Sequence, residues 1–127
     1  MNKIFLDASA WIEYFLGTEK GKKISVLLEQ HPVYTTGVVI AELCGKFVRE
    51  KQPADGAVAA VRAIAMLLPV DYQVGYAAAH LLPAQRAKQP KFGLADALAT
   101  ASARIVDAQI ITCDFDFSGL PNVTIIQ

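Results

Sequence analysis

Apolar and polar positions along the chain follow two rhythms. Short apolar or β-branched runs at residues 3–6 (KIFL), 33–35 (VYT), 109–112 (QIIT) and 123–126 (VTII) have the length of strands, and a further short strand fits 67–71. Between them lie longer stretches of helical period. Residues 11–16 read as helix until Gly17 and Thr18 break it, and 20–30 space Ile24, Leu27 and Leu28 helically before Pro32 marks the passage into the second strand. A helix over about 38–51 sets Val39, Leu43 and Phe47 on one stripe, and Pro53 opens an alanine-rich helix running to about residue 68. Residues 72–88 are helical in composition, with a kink expected at Pro83 and a polar, basic loop over 85–91. The last helix starts near Gly93, with Leu94, Ala97, Leu98, Ala101 and Ile105 on its apolar side.

Strands separated by helices of ten or more residues imply a mostly parallel sheet covered on both faces, an α/β fold of three-layer α/β/α sandwich type. At 127 residues, with no repeat, linker or low-complexity segment, the chain is expected to form one domain over 1–127.

Composition refines this picture. Apolar residues make up 54% of the chain against 19% charged, which leaves surplus apolar surface and predicts an oligomer. Apolar runs stay below the ~18–20 residues needed to cross a bilayer, and Asp7 and Glu13 interrupt the N-terminal stretch, which reads as strand and helix rather than as a signal peptide. A soluble protein is expected. Cys44 and Cys113 lack the spacing of a zinc knuckle or redox pair, and a reducing cytoplasm fits them best.

Twelve basic residues balance twelve acidic ones, which argues against a strongly basic nucleic-acid-binding face. If Asp7, Glu42, Asp96, Asp114 and Asp116 cluster around a cation, 12 − 5 = 7 acids remain against twelve bases, a surplus of five positive charges for phosphate attraction.

Those acids occupy telling positions. Ligand sites in open parallel sheets lie beyond the carboxyl ends of the strands. Asp7 directly follows the first strand, and Asp114 and Asp116 follow the strand ending at Thr112. Glu42 falls early in the helix after the second strand, and Asp96 in the first turn of a helix that leads back into a strand, so both begin at the same edge. Each has an ordinary structural alternative: Asp7 and Asp114 as caps or Asx turns, Asp96 as a partner for a helix dipole, Glu42 as an i,i+4 partner of Lys46. Convergence weakens those alternatives, because like charges drawn together repel and raise one another's pKa unless a cation joins them. A carboxylate set without His or Cys suits Mg²⁺ or Mn²⁺, which keep several waters and share their shell with substrate phosphate. Such a site fits phosphodiester hydrolysis by metal-activated water.

The strand-ending FLDAS, the IAEL around Glu42, the GLADALA around Asp96 and the ITCDFDF around Asp114 together resemble the PIN domain, and within it the short toxin ribonucleases of VapC type. The motifs stand in the family's order and span the chain. The resemblance implies that Asp7, Glu42, Asp96 and Asp114 form the metal-binding and catalytic set, with Asp116 as an auxiliary metal-site acid and Ser9 and Thr112 as supporting hydroxyls. It implies strand order 3-2-1-4-5, which sets strands 1 and 4 side by side at the topological switch point. It further implies an Mg²⁺- or Mn²⁺-dependent endoribonuclease, the toxin of a type II toxin–antitoxin pair. Such a toxin forms a homodimer and is held in check by an antitoxin whose tail occupies the groove.

The alternative from another class is a PIN-like module that binds RNA or a protein without cutting. Action on DNA, or in ribosomal RNA processing, also stays open. Other residues carry less. The D-x-D of Asp114 and Asp116 is shared with aspartyl-phosphate phosphotransferases, whose pair follows the first strand rather than a late one. His31 and His80 have no visible partner, and Cys113 sits among acids that should raise its pKa. Trp11, Tyr14 and Phe15 read as core or dimer contacts rather than base-stacking groups, while Arg86, Lys88 and Lys91 form the most credible phosphate-contacting group.

Overall fold

The computed structural model describes residues 2–127, and it has the sheet that the hydrophobic rhythm implied. Strand β1 (Ile4–Leu6) leads into helices α1 (Ala8–Leu16) and α2 (Glu19–Gln30), then β2 (Val33–Thr36), α3 (Gly37–Arg49), α4 (Asp55–Ile64) and β3 (Ala65–Leu68). Helices α5 (Tyr72–Lys88) and α6 (Leu94–Ile105) return the chain to β4 (Gln109–Thr112), a 3₁₀ turn over Phe115–Phe117 and β5 (Val123–Ile125). All strand pairings are parallel, in the order β3-β2-β1-β4-β5. Every residue of the central β1 is buried, as expected of a parallel strand covered on both faces.

Local chemistry starts and stops the helices. Asp7, extended at φ −78°, accepts from the Ala10 amide and caps α1; Gly17, at φ +66°, ends it in a left-handed conformation that costs glycine least. Thr18, Thr36 and Asp71 cap α2, α3 and α5 in the same way. Gly21 lets α2 approach α1 closely, because a Cβ there would stand 2.0 Å from the Glu13 carbonyl oxygen.

Trp11 is fully buried, stacks on Phe15 at 6.1 Å and meets Tyr14 edge-on, while Phe15 meets Phe47 of α3. These aromatics belong to the α1–α3 packing and not to a stacking platform for bases.

Element boundaries depart from the sequence reading at three places. The strand expected over 67–71 lies at Ala65–Leu68, and α4 ends four residues earlier than its alanine content suggests. The ladder to β2, from Val33 opposite Ala65 to Thr36 opposite Leu68, captures those residues as an edge strand. Helix α5 spans Tyr72–Lys88 as its composition predicted, so the polar loop expected over 85–91 starts only after Lys88; the Gln85 side chain in this last turn is buried and bonded to carbonyls beyond β4. On α6, Ala97 and Ala101 are buried as expected and Leu98 partly so, but Leu94 and Ile105 lie in solvent, 56% and 46% exposed. Its small residues Ala99, Thr100, Ser102 and Ala103 are buried instead, since α6 is packed by α5, α3 and the sheet together.

Candidate active site

At the carboxyl edge of the sheet, β1 and β4 are neighbours, so the residues that follow them are neighbours too. Asp7 is 6% exposed and its carboxylate is heavily bonded. Oδ1 accepts from Ser9 Oγ at 2.7 Å and from the Ala10 amide at 3.0 Å, and Oδ2 accepts from Thr112 Oγ1 at 2.6 Å. Ser9 in turn accepts from the Cys113 amide, and Thr112 Oγ1 from the Asp114 amide, both at 3.0 Å. The two hydroxyls therefore join Asp7 to the chain that leads into Asp114. Three of the roughly four lone-pair positions of the Asp7 carboxylate are used, leaving room for one more ligand.

Three further segments bring acids to this edge. Asp114 Oδ1 accepts from the Asp116 amide at 2.8 Å, which shapes the 3₁₀ turn. Asp96, in the first turn of α6, accepts from the Gly93 amide through Oδ2 at 2.8 Å. Asp114 thus plays the turn-capping role open to it in the sequence and Asp96 sits at the helix start expected of a dipole partner, where it also bonds the N-cap amide; in each the second oxygen has no hydrogen-bond partner among the described residues. Glu42 is exposed on α3 and does not pair with Lys46, whose ammonium bonds Glu50 at 2.8 Å instead.

The electrostatics tie these positions together. Asp7 is pushed up to about 6, first by burial, with its hydrogen bonds from Thr112, Ser9 and Ala10 opposing the rise and Asp96 adding to it. Glu42 also rises to about 6, through partial desolvation and then through the fields of Asp96, Asp7 and Asp114. Because its side chain reaches solvent, the three like charges are the more telling part of that rise. Asp96 is raised by desolvation and by Asp114 and Asp116, against the Gly93 hydrogen bond. Among the described residues the ion pairs are Lys22–Glu19 and Lys46–Glu50, so no Lys or Arg neutralises any of the five acids.

What the acids do not form, among the described residues, is a closed cage: no three His, Cys, Asp or Glu side chains converge enough to enclose an ion unaided. An open set of hard oxygen donors with spare lone pairs and no counter-cation fits Mg²⁺ or Mn²⁺, which are held by one or two carboxylates with water and phosphate completing the shell. It lacks the His or Cys ligands that zinc sites typically use.

The remaining sequence candidates fall elsewhere. Burial and the charge of Asp7 push the Cys113 thiol up, away from a reactive thiolate. His80 packs edge-on against Tyr76 on α5. Lys88 and Lys91 are exposed, whereas Arg86 donates through Nε to the Phe92 carbonyl at 2.8 Å and so has a structural bond. Gln85 was missed by sequence reasoning: one glutamine in an alanine-rich stretch carries no pattern, yet it reaches the turn that carries Asp116.

A family model for the PIN domain matches residues 4–122. The chain belongs to the PIN domain family. Among solved structures, a toxin–antitoxin complex from Klebsiella pneumoniae superposes with a TM-score of 0.76 at 20% identity, covering 98% of both chains. VapBC2 from Rickettsia felis, bound to a DNA fragment of its promoter, gives 0.74 at 14% identity over 96% of each chain. VapC20 of Mycobacterium tuberculosis, a toxin that cleaves the sarcin–ricin loop, gives 0.69 at 23% identity, covering 95% of this PIN domain and 98% of that chain. At these identities the likeness is one of fold. No curated protein matches the chain by sequence.

Proposed function

We propose that this PIN domain is a divalent-metal-dependent endoribonuclease, the toxin of a toxin–antitoxin pair. The observation that carries the reading is that acids from four segments meet at one sheet edge, where their like charges help raise the pKa of Asp7, Glu42 and Asp96 and no basic residue pairs with them among the described residues. Asp7, Glu42, Asp96 and Asp114 are the residues proposed to hold Mg²⁺ or Mn²⁺ and the reacting phosphate, with Asp116 assisting. When bound, the ion supplies Lewis acidity and lowers the pKa of water.

The chain's own groups do the rest. Ser9 and Thr112 fix the Asp7 carboxylate and, by hydrogen bonding to it, favour its charged form. Asp96 and Asp114 are anchored through one oxygen each, and the other oxygen of each is left without a hydrogen-bond partner among the described residues. Glu42, the most solvent-accessible of the set, is the member proposed to orient water. Attack by water on phosphorus, with cleavage of the P–O3′ bond and the proton passing to the departing O3′, leaves a 3′-hydroxyl and a 5′-phosphate.

The neighbours solved as toxin–antitoxin complexes support a cognate antitoxin as partner, and a cytoplasmic toxin follows from that reading. No helix among the described residues is long and apolar enough to cross a membrane. A homodimer is supported by the exposed apolar surface of Met66, Leu67, Val70, Tyr72 and Tyr76, the last two 99% and 71% exposed. An open concavity of about 920 Å³ lined by Val70, Asp71, Tyr72 and Tyr76 contains none of the five acids of the candidate site, and it suits a second copy better than a substrate.

The test is cleavage of a pool of labelled structured RNAs by metal-stripped protein, with and without Mg²⁺ or Mn²⁺, beside Asp96→Asn. Metal-restored cutting absent from the variant supports the proposal. Equal cutting by both removes the site assignment, and RNA binding without cutting favours the non-catalytic module.

A further inference from the structure

The acids of the candidate site ride on segments that have no direct covalent reason to keep their spacing. Asp96 begins α6, while Asp114 and Asp116 sit in the turn after β4. Two adjacent residues at the end of α5 join these segments. Gln85, 3% exposed, donates through Nε2 to the carbonyl oxygens of Asp116 and Ser118, both at 3.0 Å. Arg86 donates through Nε to the carbonyl oxygen of Phe92 at 2.8 Å. Phe92 directly precedes Gly93, whose amide holds the Asp96 carboxylate. The ring of Phe92 meets that of Phe117 edge-on at 5.4 Å, and both are fully buried. One turn of α5 thus grips both acid-bearing segments, and the aromatic pair fills the space between them.

We propose that Gln85 and Arg86 are positioning residues that hold the Asp114–Asp116 turn at a set distance from Asp96 and thereby set the affinity of the acids for a divalent cation. The inference rests on the metal-dependent reading above. Its physical basis is that an ion held by few protein ligands depends on their separation, and the groups that orient ligands typically matter about 10- to 100-fold in affinity. Gln85 suits the task because its one amide donates to two carbonyls of the same turn. The Arg86 bond also has a diagnostic sign. Removing a positive charge from a cation-binding protein should, if anything, strengthen cation binding by Coulomb attraction, whereas releasing the Phe92 segment should weaken it.

The experiment is calorimetric titration of the full metal-stripped chain with Mn²⁺ alone, below the unfolding transition of every protein compared. Gln85→Met keeps the side-chain bulk and removes both donors, and Val61→Ala, a buried change in α4, serves as a destabilised control. The expected result is Mn²⁺ binding at least about tenfold weaker in Gln85→Met, with Val61→Ala within about twofold of wild type despite a comparable loss of thermal stability. Equal Mn²⁺ affinity in wild type and Gln85→Met overturns the inference and leaves the metal-dependent reading standing. No Mn²⁺ binding by the wild type overturns both. Should Gln85→Met fail to fold, Arg86→Ala decides: weaker binding supports positioning, and equal or tighter binding overturns it.

Discussion

Thr112 Oγ1 donates to Asp7 Oδ2 at 2.6 Å, joining the ends of two strands that are far apart in sequence and adjacent in the sheet. The bond places a buried carboxylate at the switch point and holds its pKa down against the burial that raises it. Thr112 also accepts from the Asp114 amide, so one hydroxyl serves two proposed metal-binding acids.

Removing that hydroxyl should therefore be felt in the pH dependence. In Thr112→Val the Asp7 carboxylate loses a stabilising donor, so its pKa rises further above about 6. The alkaline shift of the ascending limb of the pH–cleavage profile should be about half a unit or more, with roughly 1–3 kcal/mol lost in stability. A profile that falls in amplitude without moving would mean that Thr112 acts only as a structural support.

The metal-free protein should be more stable at pH 5 than at pH 7.5. Asp7 and Glu42 titrate near 6 in the fold against 3.8 and 4.5 otherwise, and Asp96 is shifted in the same direction. Between those values the folded state holds more protons than the unfolded one, so stability falls as pH rises through the window. Asp7 alone contributes roughly 1 kcal/mol of this difference at pH 5. Saturating Mg²⁺ should reverse the trend, because the cation needs the carboxylates ionised and adds about 2.7 kcal/mol at a hundred times its Kd. Thermal melts across pH, with and without Mg²⁺, read both effects; a metal-free melting temperature that climbs from pH 5 to 7.5 would contradict the reading.

Asp96→Asn should separate stability from activity. The amide oxygen can still accept from Gly93, so the start of α6 is kept while one repelling charge is lost. We expect a metal-free melting temperature at pH 7.5 equal to or above that of wild type, and RNA cleavage reduced by at least about 100-fold. A strong drop in melting temperature would show that the charge itself stabilises the fold.

Gly21→Ala tests the packing that positions α1. The added methyl would meet the Glu13 carbonyl, and α1 and α2 must part to admit it, at a cost of about 2–3 kcal/mol. Gly56→Ala meets nothing within 4 Å and should gain up to about 1 kcal/mol from helix propensity. Urea midpoints that move the same way in both variants would refute the close-approach argument.

The chain's own pattern determined the alternation of strands and helices, and with it the parallel three-layer fold, because a fully buried parallel strand reads as an apolar run wherever it occurs. The same pattern assigned the acids to one sheet edge: Asp7 and Asp114 end strands, and Asp96 and Glu42 begin helices, which topology alone sends to the carboxyl end. What only the tertiary structure decided depends on contacts distant in sequence. The ladder with β2 drew β3 to Ala65–Leu68 against the helical preference of its Ala-Met-Leu-Leu sequence. Burial from several sides turned α6 inward along its small residues, leaving Leu94 and Ile105 in solvent. The role of Gln85, where the expected helix over 72–88 and the expected loop over 85–91 overlapped, was decided there too, since a lone glutamine acquires its bonds only when the turn it binds, 31 residues later, is folded beside it.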